Sequence, residues 1–256
     1  MSLVLVTAIG PASLPSAAQS SPLRATVQQI LDRPELFIDQ RQARVKDVAD
    51  EPQWLSTRNS RAQLLFSSGA AGRMARQSVL QLGSRCFLLE QGQVLVSGKQ
   101  SACTRSLRLS VRGTNYILES FDNGDAAVTS LQGDLQVETL KDGEPIHASP
   151  QLLSSGQRLR LMLAAGLTTV INLTPGDYRA LLEGLLFRGF DQRLPDQGAL
   201  EDYLNANVPG VTLPAPEPPP RVQQSPGLPF GFGFGFGFGG GSDRPSSRPQ
   251  REYSPQ

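Results

Sequence analysis

Short runs of alternating apolar and polar side chains fill the middle of the chain. Ala62, Leu64 and Phe66 alternate with Gln63, Leu65 and Ser67. Leu107, Leu109 and Val111 alternate with Arg108, Ser110 and Arg112; Leu135 and Val137 with Gln136 and Glu138; Leu159, Leu161 and Leu163 with Arg160 and Met162. Period-two alternation is the pattern of strands that bury one face and wet the other. Glycines punctuate the runs: Gly113, Gly124, Gly133, Gly143 and Gly156 fall 11, 9, 10 and 13 residues apart. Turn signals at such spacing, with short strands between them, indicate an all-β architecture. Asn123-Gly124 and Asp142-Gly143 are the strongest hairpin turns, because these residue types tolerate positive φ. The expected fold is therefore mainly β over residues 23–163, with short stacked strands forming a β-solenoid-like stack or a twisted sandwich.

Helical spacing begins only after Thr174. That residue suits an N-cap, Pro175 the first helical position, and Asp177 the position three past the cap. Tyr178, Leu181, Leu182, Leu185 and Leu186 then form one apolar stripe, stopped at Gly189. A second short helix is expected over 196–207, with Leu200, Tyr203 and Leu204 on one side. This helical extension, residues 164–210, either covers an open end or face of the β domain or forms a partner-docking groove. From residue 211 the chain turns Pro-rich, and Phe230, Phe232, Phe234, Phe236 and Phe238 are separated by single glycines. Aromatics spaced by glycine build no core, so a disordered tail over 211–256 is expected, suited to weak multivalent contacts or self-association.

At the other end, Leu3 to Ile9 is a short apolar run, and Ser16 and Ala18 fit a small-residue cleavage rule. Residues 1–18 read as a signal peptide, although the first basic side chain is Arg24. No segment reads as a bilayer span: the longest apolar stretch, Leu159 to Leu173, is interrupted by Arg160, Gly166 and Asn172. A periplasmic or secreted protein is expected. Cys86 and Cys103 lie 17 positions apart around an expected hairpin turning at Gly92. In an exported chain the pair favours a disulfide, worth about 3 kcal/mol for a loop of this size, over the alternative of two unpaired, partly buried thiols.

Charge changes the picture locally. The formal net charge is +1, which argues against a dedicated nucleic-acid binder. Between Arg58 and Arg112, however, nine basic residues face one acidic residue, Glu90, for a net +8. Arg58, Arg61, Arg73, Arg76, Arg105 and Arg108 are the candidate basic face toward an acidic protein or anionic glycan. The alternative is that scattered arginines merely keep strand edges soluble.

Reactive chemistry is sparse. His147 is the single histidine, and no Gly-x-Ser-x-Gly elbow, phosphate loop or dinucleotide fingerprint occurs. Asp122, Asp125, Asp134 and Asp142 recur near turns, where such side chains satisfy backbone groups. Two cysteines are too few for a structural zinc site. The expectation is a non-enzyme without cofactor or metal.

The stretch from about Leu23 to Leu163 resembles the FecR domain family. The matching pieces are Trp54 to Phe66, Gly92 to Val96, Val111-Arg112-Gly113-Thr114, Leu131 to Val137, and Gly156-Gln157. The resemblance implies a mostly β domain facing the periplasm. Gly113, Gly133 and Gly156 map to the family's turn glycines, and Arg112 and Thr114 to its signature, with no assigned chemistry. Members that control iron uptake couple an outer-membrane receptor to a cytoplasmic sigma factor through a cytoplasmic segment and one membrane helix. Neither reads from this chain, so the expectation is a free-standing envelope binding or regulatory module engaging a protein or glycan. The alternative is a scaffolding protein that associates through its Phe-Gly tail.

Overall fold

The computed structural model describes residues 22–214; the expected signal peptide and the Phe-Gly tail lie outside them. The strands in chain order begin with β1 (Arg24–Leu31), β2 (Leu36–Ile38), β3 (Arg41–Gln42), β4 (Val48–Asp50), β5 (Trp54–Thr57) and β6 (Arg61–Phe66). Next come β7 (Ala71–Met74), β8 (Val79–Gln81), β9 (Phe87–Gly98), β10 (Ala102–Cys103), β11 (Leu107–Val111) and β12 (Thr114–Ser120). The last are β13 (Ala126–Gln132), β14 (Leu135–Lys141), β15 (Glu144–Pro145), β16 (Gln151–Leu153), β17 (Gln157–Met162) and β18 (Leu167–Asn172). Two helices follow, α1 (Pro175–Leu182) and α2 (Gln197–Asn207).

The strands form two facing sheets. The first runs β4-β1-β6-β7-β9-β12-β13-β17-β18. The second runs β3-β2-β5-β8-β9-β10-β11-β14-β16. The chain passes back and forth between them, mostly two strands at a time, with β4 and β5 as single visits. Alternate residues from the inner faces meet in one core. Val94, Val96, Tyr116, Leu118, Val128 and Leu159 come from the first sheet, and Leu55, Leu80, Leu89, Leu109, Val137 and Leu153 from the second. Phe66 and Phe87 stack across the layers at 5.4 Å.

The expected hairpin between the cysteines is not a hairpin. β9 is one twelve-residue strand that crosses between sheets. Its first half pairs with β8 and β10, its second half with β7 and β12. Gly92 is the crossing point, at φ +91°, and a Cβ there would lie 2.6 Å from the Ser78 Cα. Glycine therefore marks a bend and a close approach here, rather than a reversal.

The β structure also runs past residue 163, because Leu167–Asn172 forms β18. α1 then starts where its capping signals place it. The Thr174 Oγ1 accepts from the Asp177 N–H at 3.2 Å, and the Asp177 Oδ2 accepts from the Thr174 N–H at 2.8 Å. It ends at Leu182, short of the stripe's full length; Leu186 is still buried, whereas Leu185 is exposed. Helices and connecting loop pack on the outer face of the first sheet. Tyr178, Leu182, Leu186, Leu194, Leu200 and Leu204 meet Ala71, Leu95, Ile117 and Leu131 in a second core, which extends to Val211. Of the two roles expected for the helical extension, it performs the covering one. The first sheet is thus buried on both faces at its centre, while among the described residues no second layer packs on the outer face of the second sheet.

Candidate functional site

Arg61 on β6 and Arg73 on β7 point away from the inner core, into the space beneath the helical cap. Arg61 makes a two-pronged contact with Asp32, Nε to Oδ2 at 2.8 Å and Nη2 to Oδ1 at 2.9 Å. Its Nη1 donates to the carbonyls of Leu185 at 2.6 Å and Arg188 at 2.7 Å. Arg73 donates to the Gln63 Oε1 at 2.8 Å and to the carbonyls of Gln192 at 2.8 Å and Leu186 at 3.2 Å. Phe190 lies over both guanidinium groups, 4.4 Å from Arg73 and 5.5 Å from Arg61. These bonds satisfy carbonyls that a longer α1 would have used internally, which is why the chain leaves the helix yet stays fixed.

Electrostatics follows from this geometry. Arg61 hydrogen bonding, reinforced by Arg76, holds the Asp32 carboxyl at about 2. Burial, with repulsion from Arg61, lowers Arg73 to about 10, so it stays charged at neutral pH.

The six arginines therefore do not form one basic face. Arg61 and Arg73 are buried, with Arg73 only 4% exposed, and serve as a clamp. Arg76 joins Asp32 at 3.1 Å. Arg105 pairs with Glu90, and Arg108 with Glu138 at 2.9 Å. Arg58 stacks over the Phe37 ring at 4.8 Å. The cause of the correction is the cap: side chains that alternation places on a wet face lie under a second layer.

Three of these arginines do share a surface, the open outer face of the second sheet. Cross-strand register lines up Trp54, Gln81, Leu88, Cys103, Arg108 and Glu138 along one row. A neighbouring row begins with Phe37, Ser56 and Val79. Trp54, the single tryptophan, is 36% exposed, and its backbone N–H donates to the Asp39 carboxylate at 3.0 Å. The Cys86–Cys103 disulfide sits against this row and closes, with a Cα–Cα separation of 5.9 Å, the loop expected from the sequence. Trp54 and Phe37 were absent from the expected site. The available signal was their phase, one position out of step with the buried Leu55 and Leu36.

The signature residues build corners rather than a reactive site. Arg112-Gly113-Thr114 carries the chain from β11 to β12, Gly133 from β13 to β14, and Gly156 from β16 to β17, each time between sheets. Gly133 has φ +87°, and a Cβ there would meet the Gly113 carbonyl at 2.9 Å. The corners are tied together. The Gly133 N–H donates to the Ser155 Oγ at 2.8 Å and the Gly156 N–H to the Ser130 carbonyl at 2.8 Å. The Tyr178 hydroxyl donates to the Leu131 carbonyl at 2.9 Å, and burial beside Tyr203 pushes that phenol well above its usual range. Arg112 flanks a surface cleft of about 440 Å³ with Asp134, Gln136 and Leu152. Among the described residues no cluster of His, Cys, Asp and Glu could hold a metal, and no helix is long and apolar enough to cross a membrane.

No family model matches the chain, and no curated protein matches it. Two solved structures show a partial likeness to the chain, each of a proposed anti-sigma factor from Parabacteroides distasonis. One aligns at 13% identity and a TM-score of 0.44 over 59% of this chain and 73% of its own; the other at 14% and 0.42 over 58% and 71%.

Proposed function

We propose that the protein is a non-catalytic binding or regulatory module of the FecR type. In this reading it works in the periplasm or outside the cell and engages an envelope protein or glycan through the outer face of its second sheet. The observation that carries the reading is the unequal covering of the two sheets. The first sheet is buried on both sides, by the second sheet within and by the helices outside. The second keeps an open face with an exposed tryptophan, an arginine-stacked phenylalanine and paired charges. Exposed aromatic and arginine side chains on a rigid sheet are the groups that dominate interface energetics. The disulfide supports an oxidising compartment.

The test is cross-linking in envelope fractions. Trp54→Ala combined with Arg58→Glu should abolish capture of the species bound by the wild type. Leu185→Ser, exposed on the cap side, should retain it. Equal capture by all three proteins would remove the second sheet from the reading. The Phe-Gly alternation of Phe230 to Phe238 supports a second reading, scaffolding through the tail. Deleting residues 215–256 and comparing sedimentation with the full chain tests it; identical size distributions would sink it.

A further inference from the structure

Each sheet has two edges, and three of the four are guarded. β4 is three residues long and bears the Arg24–Asp50 ion pair. β3 is two residues long, with Arg41 tied to Asp47. β16 is three residues long and follows Pro150. Brevity, charge and proline are the usual protections against edge-to-edge pairing. β18 has none of them. It is six residues of Leu-Thr-Thr-Val-Ile-Asn, and no charged residue occurs between Leu161 and Gly176. Leu167 is 46% exposed, Val170 39% and Ile171 56%.

The edge also has a defined polarity. The Leu173 N–H donates to the Gly156 carbonyl at 2.7 Å, continuing the register that pairs Asn172 with Gln157. Backbone groups alternate sides along a strand, so those of Thr168, Val170 and Asn172 point outward, with no strand paired to them among the described residues. Side chains alternate too. Thr168 and Val170 share the inner face with Leu161 and Leu159, and Leu167, Thr169 and Ile171 share the outer face.

We propose that this edge pairs antiparallel with the same edge of a second copy, joining the first sheets of two molecules about a two-fold axis at Thr169. Opposed residues in an antiparallel pair must lie on the same face. Centring on Thr169 meets that condition. Leu167 falls opposite Ile171 twice, Thr168 opposite Val170 twice, and Thr169 opposite itself. The two most exposed aliphatic side chains of the outer face thereby cover each other, and no like charges meet. A second copy is the occupant whose edge is uncharged and complementary by construction. Six residues a side is little beside the ~1,200 Å² of a standard interface, so the dimer is reversible and rises with concentration. It leaves the open face of the second sheet free.

Cysteine scanning of the full chain tests the register, since the native cysteines are bonded to each other and leave no free thiol. Side chains directly opposed across strands have Cβ atoms ~4.5–5.5 Å apart, near disulfide reach. Thr169→Cys should form a covalent dimer under mild oxidant at least tenfold faster than Leu167→Cys, which is similarly placed but faces Ile171. Adding Ile171→Lys to Thr169→Cys should slow it at least tenfold. Equal rates at 169 and 167, or no effect of the lysine, would overturn the pairing.

Discussion

The clamp beneath the cap makes the most exacting prediction. Arg73→Met keeps the aliphatic stem and removes the guanidinium. Three acceptors then lose their donor: the carbonyls of Leu186 and Gln192 and the Gln63 Oε1. Each buried acceptor left unpaired costs about 1–3 kcal/mol, and the lost contact with Phe190 adds about 1 kcal/mol. Against this stands relief from holding a desolvated cation, the cause of the lowered Arg73 pKa. Removing one member of a buried charged network typically nets a loss of about 3–5 kcal/mol, a large share of a domain stability of about 5–15 kcal/mol. Urea unfolding followed by circular dichroism measures the loss. Trypsin locates it, because the cap carries Arg179, Arg188 and Arg193, and cleavage there should precede cleavage in the sandwich. Arg61→Met should act on the same loop, so the double variant should lose at least 1 kcal/mol less than the sum of the singles. A loss below about 1 kcal/mol for Arg73→Met, with cap cleavage unchanged, would refute the clamp.

Three further outcomes follow from separate parts of the fold. Gly133→Ala, strained by positive φ and aimed at Thr114 and the Gly113 carbonyl, should cost about 3 kcal/mol or more in urea unfolding. Gly143→Ala, at φ +85° in open space, should cost only about 1 kcal/mol. Cys86→Ser with Cys103→Ser should lower stability by about 3 kcal/mol, read as a shift in urea midpoint with little change in slope. Asp32 has its carboxyl lowered from 3.8 to about 2 in the folded state, so its contribution is present above pH 4 and lost as pH falls through 2. The side chain keeps 20% of its surface in water. Screening therefore cuts the full linkage value to about 1 kcal/mol, and Asp32→Asn should flatten acid destabilisation between pH 4 and 2 by that amount.

Much of the fold was legible because local chemistry decided it. Alternation at Leu107 to Arg112 and Leu135 to Glu138 names strands that have a wet outer face. Asn123-Gly124 and Asp142-Gly143 turn hairpins, and the Thr174–Asp177 box starts a helix, because each depends on neighbours within a few residues. Gly92 was read as a reversal because sequence records permission for positive φ, and not whether the strand then returns or crosses to another sheet. The arginines failed for a longer-range reason. Arg61 and Arg73 occupy polar positions of alternating strands, and only a cap contributed more than a hundred residues later makes those positions interior. The warning sign was in their neighbours: Val94-Leu95-Val96 and Tyr116-Ile117-Leu118 are continuous apolar runs, the pattern of strands buried on both faces.

That same asymmetry is what favours the second sheet in the proposed recognition. A guanidinium held by backbone carbonyls under a cap is spent on rigidity and is shielded by burial from a partner. Among the described residues no such layer covers the second sheet, so Trp54 stays exposed and Phe37 half-buried on a backbone fixed by the core, the disulfide and the glycine corners. A surface that is rigid before binding loses little conformational freedom on association. Its few anchors can therefore suffice without the dense positive field that the sequence alone had led one to expect. Weakening the clamp should accordingly loosen the cap long before it disturbs the binding proposed for the Trp54 face. If Arg73→Met instead abolishes capture of the proposed partner while the sandwich stays folded, that partner docks on the cap, and the face of the second sheet is only its reverse side.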